Sequence, residues 1–287
     1  MILTPAGFII NIMELRELAQ DIQYQGASRT VIGDGPLLAW ARNRQLSPRE
    51  AQEAALRQGL ILERYLSHGH SLDLGQQLRL CEGRVLVCGC GGLGGVLISL
   101  LARAGVGFLR LVDGDVFAPS NLNRQWFCDT ASIGFPKAQV CAARLQDLNP
   151  FTRVEAITEP LTEGNALTLM ANVDLALDAL DNIAGRLVLA RVARECQIPF
   201  IHAAATGWCG QVSTFLPDSQ RRLTDIYGGR QDRDAVEMAT GIIGTTASLA
   251  GSLQAAEAIR LLTGQPPAYA DGLFYLDSHT LTKACLV

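Results

Sequence analysis

In the middle of the chain, apolar residues fall into short unbroken runs separated by longer stretches of mixed polarity. RVLVCG from Arg84 is one such strand-length run, VLISLLARAG after it has the length of a helix, and FLRLVDGD is again a strand. The rhythm continues. KAQVCAARLQDLNP reads as a helix closed by Asn149-Pro150, RVEAIT as a third strand, NALTLMANV as helix, DLALDAL as a fourth strand and NIAGRLVLARVAREC as helix. Strands alternating with helices of about ten residues predict a parallel sheet joined by helical crossovers. After IPFIHAAAT the next strand, GQVSTFLPD, follows almost without a spacer, so the sheet is expected to turn antiparallel there. TASLAGSLQAAEAIRLLTG predicts a closing helix, and LFYLD a last strand.

The flanks read differently. From residue 13 to about 70 the pattern predicts helices, with a capping box at Ser47-Pro-Arg-Glu50 and an amphipathic run from there to about Leu66. This segment has no glycine-rich turn and no cluster of reactive side chains. It is therefore read as a helical appendage, residues 1–70, before a nucleotide-binding domain over residues 71–287. MILTPAGFIINI at the front is apolar but lacks a basic stretch and a cleavage site. Met13 opens a better helical pattern and is the expected start. DSQRRLTDIYGGRQDRDAVEMATG is long and polar for a connection, as segments covering active sites often are.

Composition narrows the classes. Of 287 residues 48% are hydrophobic, enough for a sizeable core, and the net charge of −4 is unlike the basic footprint of a nucleic-acid binder. No apolar run reaches the length of a membrane span, so a cytoplasmic protein is expected. The eight cysteines contain no C-x-x-C pair, which predicts neither a structural zinc nor disulfides. Cys88 and Cys90 flank a turn at a strand end and are read as small buried hydrophobes.

That turn carries the first chemical signal. Gly89, Gly91 and Gly94 fit G-x-G-x-x-G between a strand and a helix. The first glycine permits the tight turn, the second lets phosphate approach the backbone, and the third lets the helix pack on the strand. The helix N-terminus then presents free N–H groups and a positive dipole to phosphate. Asp113 ends the second strand, where its carboxylate can accept from ribose hydroxyls. NAD and ATP suit these features equally. The loop that follows separates them: SNLNRQ, Ser120 to Gln125, places an arginine where a triphosphate can use it, and Lys137 sits at a helix start, opposing the dipole. Asp178, Asp181 and Asn182 fall at the carboxyl end of the fourth strand, the rim of the crevice in an open α/β sheet. A carboxylate among phosphates needs a cation, so Asp181 is read as a Mg²⁺ ligand.

In this order VLVCGCGGLGG, LVDGDVFAPSNLNRQ, IGFPKAQ, LNP, DLALDALDN, GQVSTFLP and GSLQAAEAIRLLTG resemble the MoeB/ThiF/HesA family of adenylating enzymes that activate ubiquitin-like proteins. The resemblance covers roughly residues 72–280 and implies a Rossmann-like α/β domain that binds ATP. It implies further that Gly92 and its glycine neighbours cradle phosphate and that Asp113 holds ribose. Asn121, Arg124, Gln125 and Lys137 would face the nucleotide, and Asp181 with Asn182 would serve Mg²⁺ and phosphate. Family members are usually homodimers, and many place an arginine from an R-Y-x-R motif into the partner's ATP site. Here Arg64-Tyr65 is followed by Ser67 in place of the second arginine. In a second, ungapped alignment Arg64 itself takes the finger position, and both alignments stay open.

The implied reaction is adenylation of the C-terminal glycine carboxylate of a small sulfur-carrier protein ending in Gly-Gly, in molybdopterin, thiamine or related sulfur metabolism. A carboxylate is ionised at neutral pH, so no general base is called for. Relatives that form a thioester carry a cysteine in the cover segment, and between Gly210 and Ala284 this chain has none. The expected product is an acyl-adenylate passed to a separate sulfur donor, with Cys128 read as an inert loop residue. Two alternatives from the same superfamily are an ATP-dependent tRNA-base dehydratase and a non-catalytic regulatory paralogue.

Overall fold

The computed structural model describes residues 2–3, 9–10, 12–228, 240–270 and 272–286. A minimal pair, β1 (Ile2–Leu3) with β2 (Ile9–Ile10), precedes the short helix α1 (Ile12–Glu17). Next come a hairpin of β3 (Gln20–Tyr24) and β4 (Ala27–Ile32), helices α2 (Asp34–Asn43) and α3 (Pro48–Arg57), and β5 (Ile61–Leu62). The expected helices are present, and so is the capping box: Ser47 Oγ accepts from the Glu50 N–H while the Glu50 carboxylate accepts from the Ser47 N–H.

What the helical reading of this segment left out is a three-stranded sheet, ordered β3-β4-β5. The strands escaped notice because β3, QDIQY, and β4, ASRTVI, are largely polar, and β5 is two residues long. Leu15, Ile32, Leu37, Trp40, Leu56 and Leu62 close a core of their own. Phe151, from the far side of the nucleotide-binding sequence, completes it.

Helix α4 (Leu74–Glu82) leads into β6 (Arg84–Cys88), α5 (Gly92–Ala104), β7 (Phe108–Val112), α6 (Lys137–Leu148) and β8 (Arg153–Ile157). The short α7 (Ala166–Leu169), then β9 (Leu175–Asp178), α8 (Ile183–Glu195) and β10 (Phe200–Thr206) follow. After them come β11 (Cys209–Phe215), α9 (Leu223–Tyr227), α10 (Gly244–Leu262), β12 (Leu273–Asp277) and β13 (Thr282–Leu286).

The large sheet has eight strands in the order β13-β12-β11-β10-β9-β6-β7-β8. Strands β10, β9, β6, β7 and β8 run parallel, and β11, β12 and β13 are antiparallel additions. This is a Rossmann-like α/β sheet with the expected antiparallel extension. Its inner parallel strands β6, β7, β9 and β10 are almost wholly buried and largely apolar because both faces are covered. Val85, Val87, Leu109 and Leu177 pack toward α5, α6 and α10, while Leu86, Cys88 and Ala176 pack toward α7, α8 and α9. No described helix is long and apolar enough to cross a membrane.

The strand order fixes where a ligand can go. From β6 the chain steps outward to β7 and β8, then returns to place β9 on the other side of β6. The loops leaving β6 and β9 therefore diverge, opening a crevice at their carboxyl ends.

Candidate active site

Strand β6 ends in the glycine turn. Gly89 has φ +103°, a left-handed conformation that favours glycine, and a Cβ there would overlap the Ala179 carbonyl in the loop after β9. A Cβ on Gly94 would overlap the Gly89 carbonyl, so this glycine lets α5 close on the strand it follows. Gly91 is the N-cap of α5, and Gly92 and Gly91 line the crevice. The glycine spacing is thus a record of two backbone contacts.

Asp113 leaves β7 and braces the turn. One carboxylate oxygen accepts the Cys90 N–H at 2.7 Å and the other accepts the Asp115 N–H at 2.9 Å. Burial nevertheless pushes its pKa above the ordinary aspartate value, and those two N–H donors oppose the shift. Asp113 lines the crevice, with lone pairs left to accept ribose hydroxyls.

The next loop supplies the cations. A 3-10 turn at Pro119–Asn121 is closed by Asn121, whose side-chain oxygen accepts the Ala118 N–H at 3.0 Å. Arg124 follows and packs over Gly92, with Nη1 donating to the Ser120 carbonyl and Asn123 Oδ1, each at 2.9 Å. Gln125 is buried beside Gly91, and its amide oxygen has no partner among the described residues. Lys137 opens α6, and its ammonium donates to Asp115 Oδ2 at 2.8 Å while its N–H reaches the Asp115 carbonyl. The adverse helix dipole is answered by that carboxylate, a partner the sequence reading did not name.

Opposite the glycine turn, the loop after β9 holds Asp181 and Asn182. Asn182 caps α8 by accepting the Gly185 N–H at 2.8 Å, and its amide donates to Asp181 at 3.3 Å. Gly89, Gly91, Gly92, Asp113, Asn121, Arg124, Gln125, Lys137, Asp181 and Asn182 all line one cleft of about 420 Å³, and Gly94 packs just behind it. Arg64 does not join them. Its guanidinium pairs with Asp34 at 2.5 Å, donates to the Leu148 carbonyl at 3.1 Å and lies over the Phe151 ring.

The match to the ThiF family spans residues 65–285, which covers the whole of this cleft. The chain belongs to that family. Among its relatives, SAMP-activating enzyme E1 of Haloferax volcanii is 35% identical over 224 residues, 77% of this chain and 83% of that protein. The sulfur carrier protein ThiS adenylyltransferase of Escherichia coli is 37% identical over 194 residues, 67% of this chain and 77% of that protein. Among solved structures, the E. coli tRNA N6-threonylcarbamoyladenosine dehydratase TcdA superposes with a TM-score of 0.60 at 20% identity. That superposition covers 70% of this chain and 95% of TcdA, a likeness of fold. This ThiF-family chain is accordingly an enzyme of the adenylyltransferase class.

Sequence reasoning missed four residues of the ThiF-family cleft and its surroundings. Asp115 was read only as part of a strand end. Arg186, on α8, lines the cleft and holds the Leu180 carbonyl. His202 and Tyr227 stand behind it, both buried. A lone histidine inside the apolar strand PFIHAAA was the available signal for the third of these.

The cysteines occupy varied positions. Cys81, Cys88, Cys90 and Cys141 are buried, and burial pushes the Cys81 thiol up to about 12. Cys128 is half-buried, its thiol pKa raised by desolvation. The Cys209 sulfur accepts from the Tyr275 hydroxyl at 2.6 Å. The polar cover sequence begins in view, with α9, while residues 229–239 lie outside the described residues.

Proposed function

We propose that this enzyme adenylates the C-terminal glycine carboxylate of a small ubiquitin-like sulfur-carrier protein ending in Gly-Gly, in sulfur metabolism of the thiamine or molybdopterin kind. The observation that carries the reading is the pairing, across one cleft at the switch point of the sheet, of a glycine turn with Arg124 and Lys137 on one side and Asp181 on the other. Relatives named for activating SAMP and for adenylylating ThiS support the substrate class.

In this reading the adenosine ribose lies against Asp113, and the phosphates lie across Gly91 and Gly92 at the start of α5. The carrier carboxylate attacks the α-phosphorus, the bond to the bridging oxygen of pyrophosphate breaks, and acyl-adenylate and pyrophosphate result. No proton is removed from the nucleophile, so the cleft needs no general base. What it must supply is relief from repulsion between two anions and from charge gathering on the leaving group. Arg124 and Lys137 do this from fixed positions, and Lys137 exchanges Asp115 for phosphate as it does so. Asp181, with Asn182, would hold a Mg²⁺ ion that neutralises phosphate charge. One or two carboxylates plus substrate phosphates are the usual donor set for that ion, and the cleft offers this. Among the described residues no larger cluster of metal-binding side chains is gathered anywhere.

A second copy of the chain fits the same loop. Trp126, Leu122 and Leu249 are exposed beside Arg124, an apolar surface suited to a homodimer with the cleft near its interface. The acyl-adenylate passes to a separate sulfur donor.

The test is ATP–pyrophosphate exchange with purified Gly-Gly-ending carriers. Exchange is expected only with a carrier present, and Asp181→Ala is expected to abolish it in a folded protein. Exchange that ignores the carrier, ATP hydrolysis stimulated by tRNA, or full activity in Asp181→Ala would overturn the reading.

A further inference from the structure

Behind the cleft wall a set of buried polar side chains has no part in the mechanism above. Asp178, His202, Arg186 and Tyr227 come from β9, β10, α8 and α9, and all four are buried. Asp178 Oδ2 lies 2.6 Å from His202 Nδ1, and Asp178 Oδ1 accepts the Leu180 N–H at 3.0 Å. The Tyr227 hydroxyl lies 3.1 Å from His202 Nε2 and accepts from Arg186 Nη1 at 2.8 Å. Arg186 Nε and Nη2 both donate to the Leu180 carbonyl, at 3.2 and 2.7 Å. Gln211 Nε2 sits within 3.2 Å of both the tyrosine hydroxyl and His202 Nε2.

The bonds among these described residues fit one arrangement of the hydrogens. A carboxylate at Nδ1 requires the imidazole to carry its proton there, which leaves Nε2 as an acceptor. The tyrosine hydroxyl, already accepting from Arg186, donates to that nitrogen. Burial also disfavours the charged imidazole, with Asp178 opposing and Arg186 reinforcing that effect, so the ring stays neutral.

A polar cluster of this kind could serve only to glue four elements together. Its ends argue for more. Both of its charged members reach one residue, Leu180: Asp178 accepts its N–H and Arg186 donates to its carbonyl. The next residue is Asp181. The opposite end is the hydroxyl of Tyr227, at the last turn of α9. Leu180 is thus held through the peptide units on both sides of it, the second of which leads into Asp181. This keeps the following side chain in a narrow range of positions, which is what a group acting on phosphates needs.

We infer that His202 and Tyr227 are positioning residues for Asp181, acting through Asp178 and Arg186 to set the backbone of Leu180 and so tying the seating of α9 to the geometry of the phosphate-binding loop. This rests on the reading of Asp181 given above. The consequence is a division of labour. The glycine turn and Asp113 hold ATP, while the buried chain sets how well the bound ATP reacts.

The experiment uses Tyr227→Phe, which keeps the ring in the core and removes only the hydroxyl, together with His202→Gln and His202→Ala. In carrier-dependent exchange, Tyr227→Phe is expected to lower kcat about tenfold with the KM for ATP changed by less than about twofold. His202→Gln, which can still donate and accept, is expected to retain more activity than His202→Ala. Hydrogen exchange at the Leu180 amide in the Mg·ATP complex is expected to quicken in Tyr227→Phe. A lower Tm with unchanged kcat, or equal losses in kcat from the glutamine and alanine variants, would reduce the cluster to structural glue and overturn the inference. Should the wild-type enzyme show no carrier-dependent exchange, the functional reading fails. The Leu180 amide then decides the positioning claim by itself, and unchanged protection in Tyr227→Phe overturns it.

Discussion

The two ends of the central sheet are both rich in cations, and they use them in opposite ways. At the amino end Arg84, Arg110 and Arg153 surround the Phe108 ring, with guanidinium carbons 4.8, 5.6 and 5.8 Å from its centroid. Arg110 also donates to the Leu169 and Ala171 carbonyls, each at 2.8 Å, and pairs with Glu155. Arg84 donates to the Asn172 carbonyl. These side chains close the turn after α7, whose carbonyls would otherwise be left over at a helix end. At the carboxyl end Arg124 and Lys137 line an open cleft, and their protein partners, the loop carbonyl of Ser120, Asn123 and the exposed Asp115, are ones a phosphate can replace. A cation whose donors are consumed by backbone carbonyls is part of the architecture. One held by exchangeable partners at a cleft is available for chemistry.

The contrast can be broken from either end. Of the substitutions at the two ends, Lys137→Met should cause the larger loss of activity, about 100- to 1000-fold in exchange kcat, with the folded state kept because the methionine stem fills the same space. The check is steady-state exchange beside a thermal melt, and a loss smaller than about tenfold would return Lys137 to the structural class. Arg110→Met should do the reverse. It leaves the Leu169 and Ala171 carbonyls without a donor, so Tm should fall by roughly 5 °C, while kcat/KM stays within about twofold of wild type. If Arg110→Met lowered activity with no change in Tm, the two ends would not differ as described.

The smallest effect sharpens the carboxyl end alone. Burial raises the Asp113 pKa, so as the pH falls its carboxylate is neutralised earlier than an exposed aspartate would be. In stability terms the folded state then holds the proton more tightly than the unfolded chain. Ionisation of Asp113 therefore costs stability as the pH rises from the ordinary aspartate value through the folded one. Affinity has the opposite sign, because a neutral carboxyl is a poorer acceptor for ribose hydroxyls. Adenosine, which carries no phosphate to titrate, should bind more weakly as the pH drops through this window, and Asp113→Asn should remove the step. Calorimetric titration across mildly acidic pH would show it.

Much of this was legible from residue order. The run-and-gap rhythm from Arg84 onward foretold the parallel strands and their helices, because strands covered on both faces read as nearly continuous apolar runs. The glycine spacing, Asp113 and the SNLNRQ loop were legible because each is a local solution to a backbone or charge problem. The partners that complete them were not. Asp115 on Lys137 crosses a loop of more than twenty residues, and the contacts of Tyr227 with His202 and Arg186 join segments that only the sheet brings together. The small sheet near the N-terminus was hidden for a different reason. Its strands are short and half-exposed, so they carry little of the apolar pattern on which strand recognition depends.

The ion pair of Lys137 with Asp115 has a consequence for turnover. Only 9% of the lysine side chain is exposed, against 69% of its carboxylate partner. In the proposed reaction an incoming phosphate would therefore not meet a bare cation. It would compete with a resident anion that swings into water when it loses. When pyrophosphate left, the same carboxylate would be there to return, so departure would not strand a buried positive charge. On that reading the site would give up some strength of capture and gain ease of release, a compromise suited to a catalyst that must empty its cleft after every cycle.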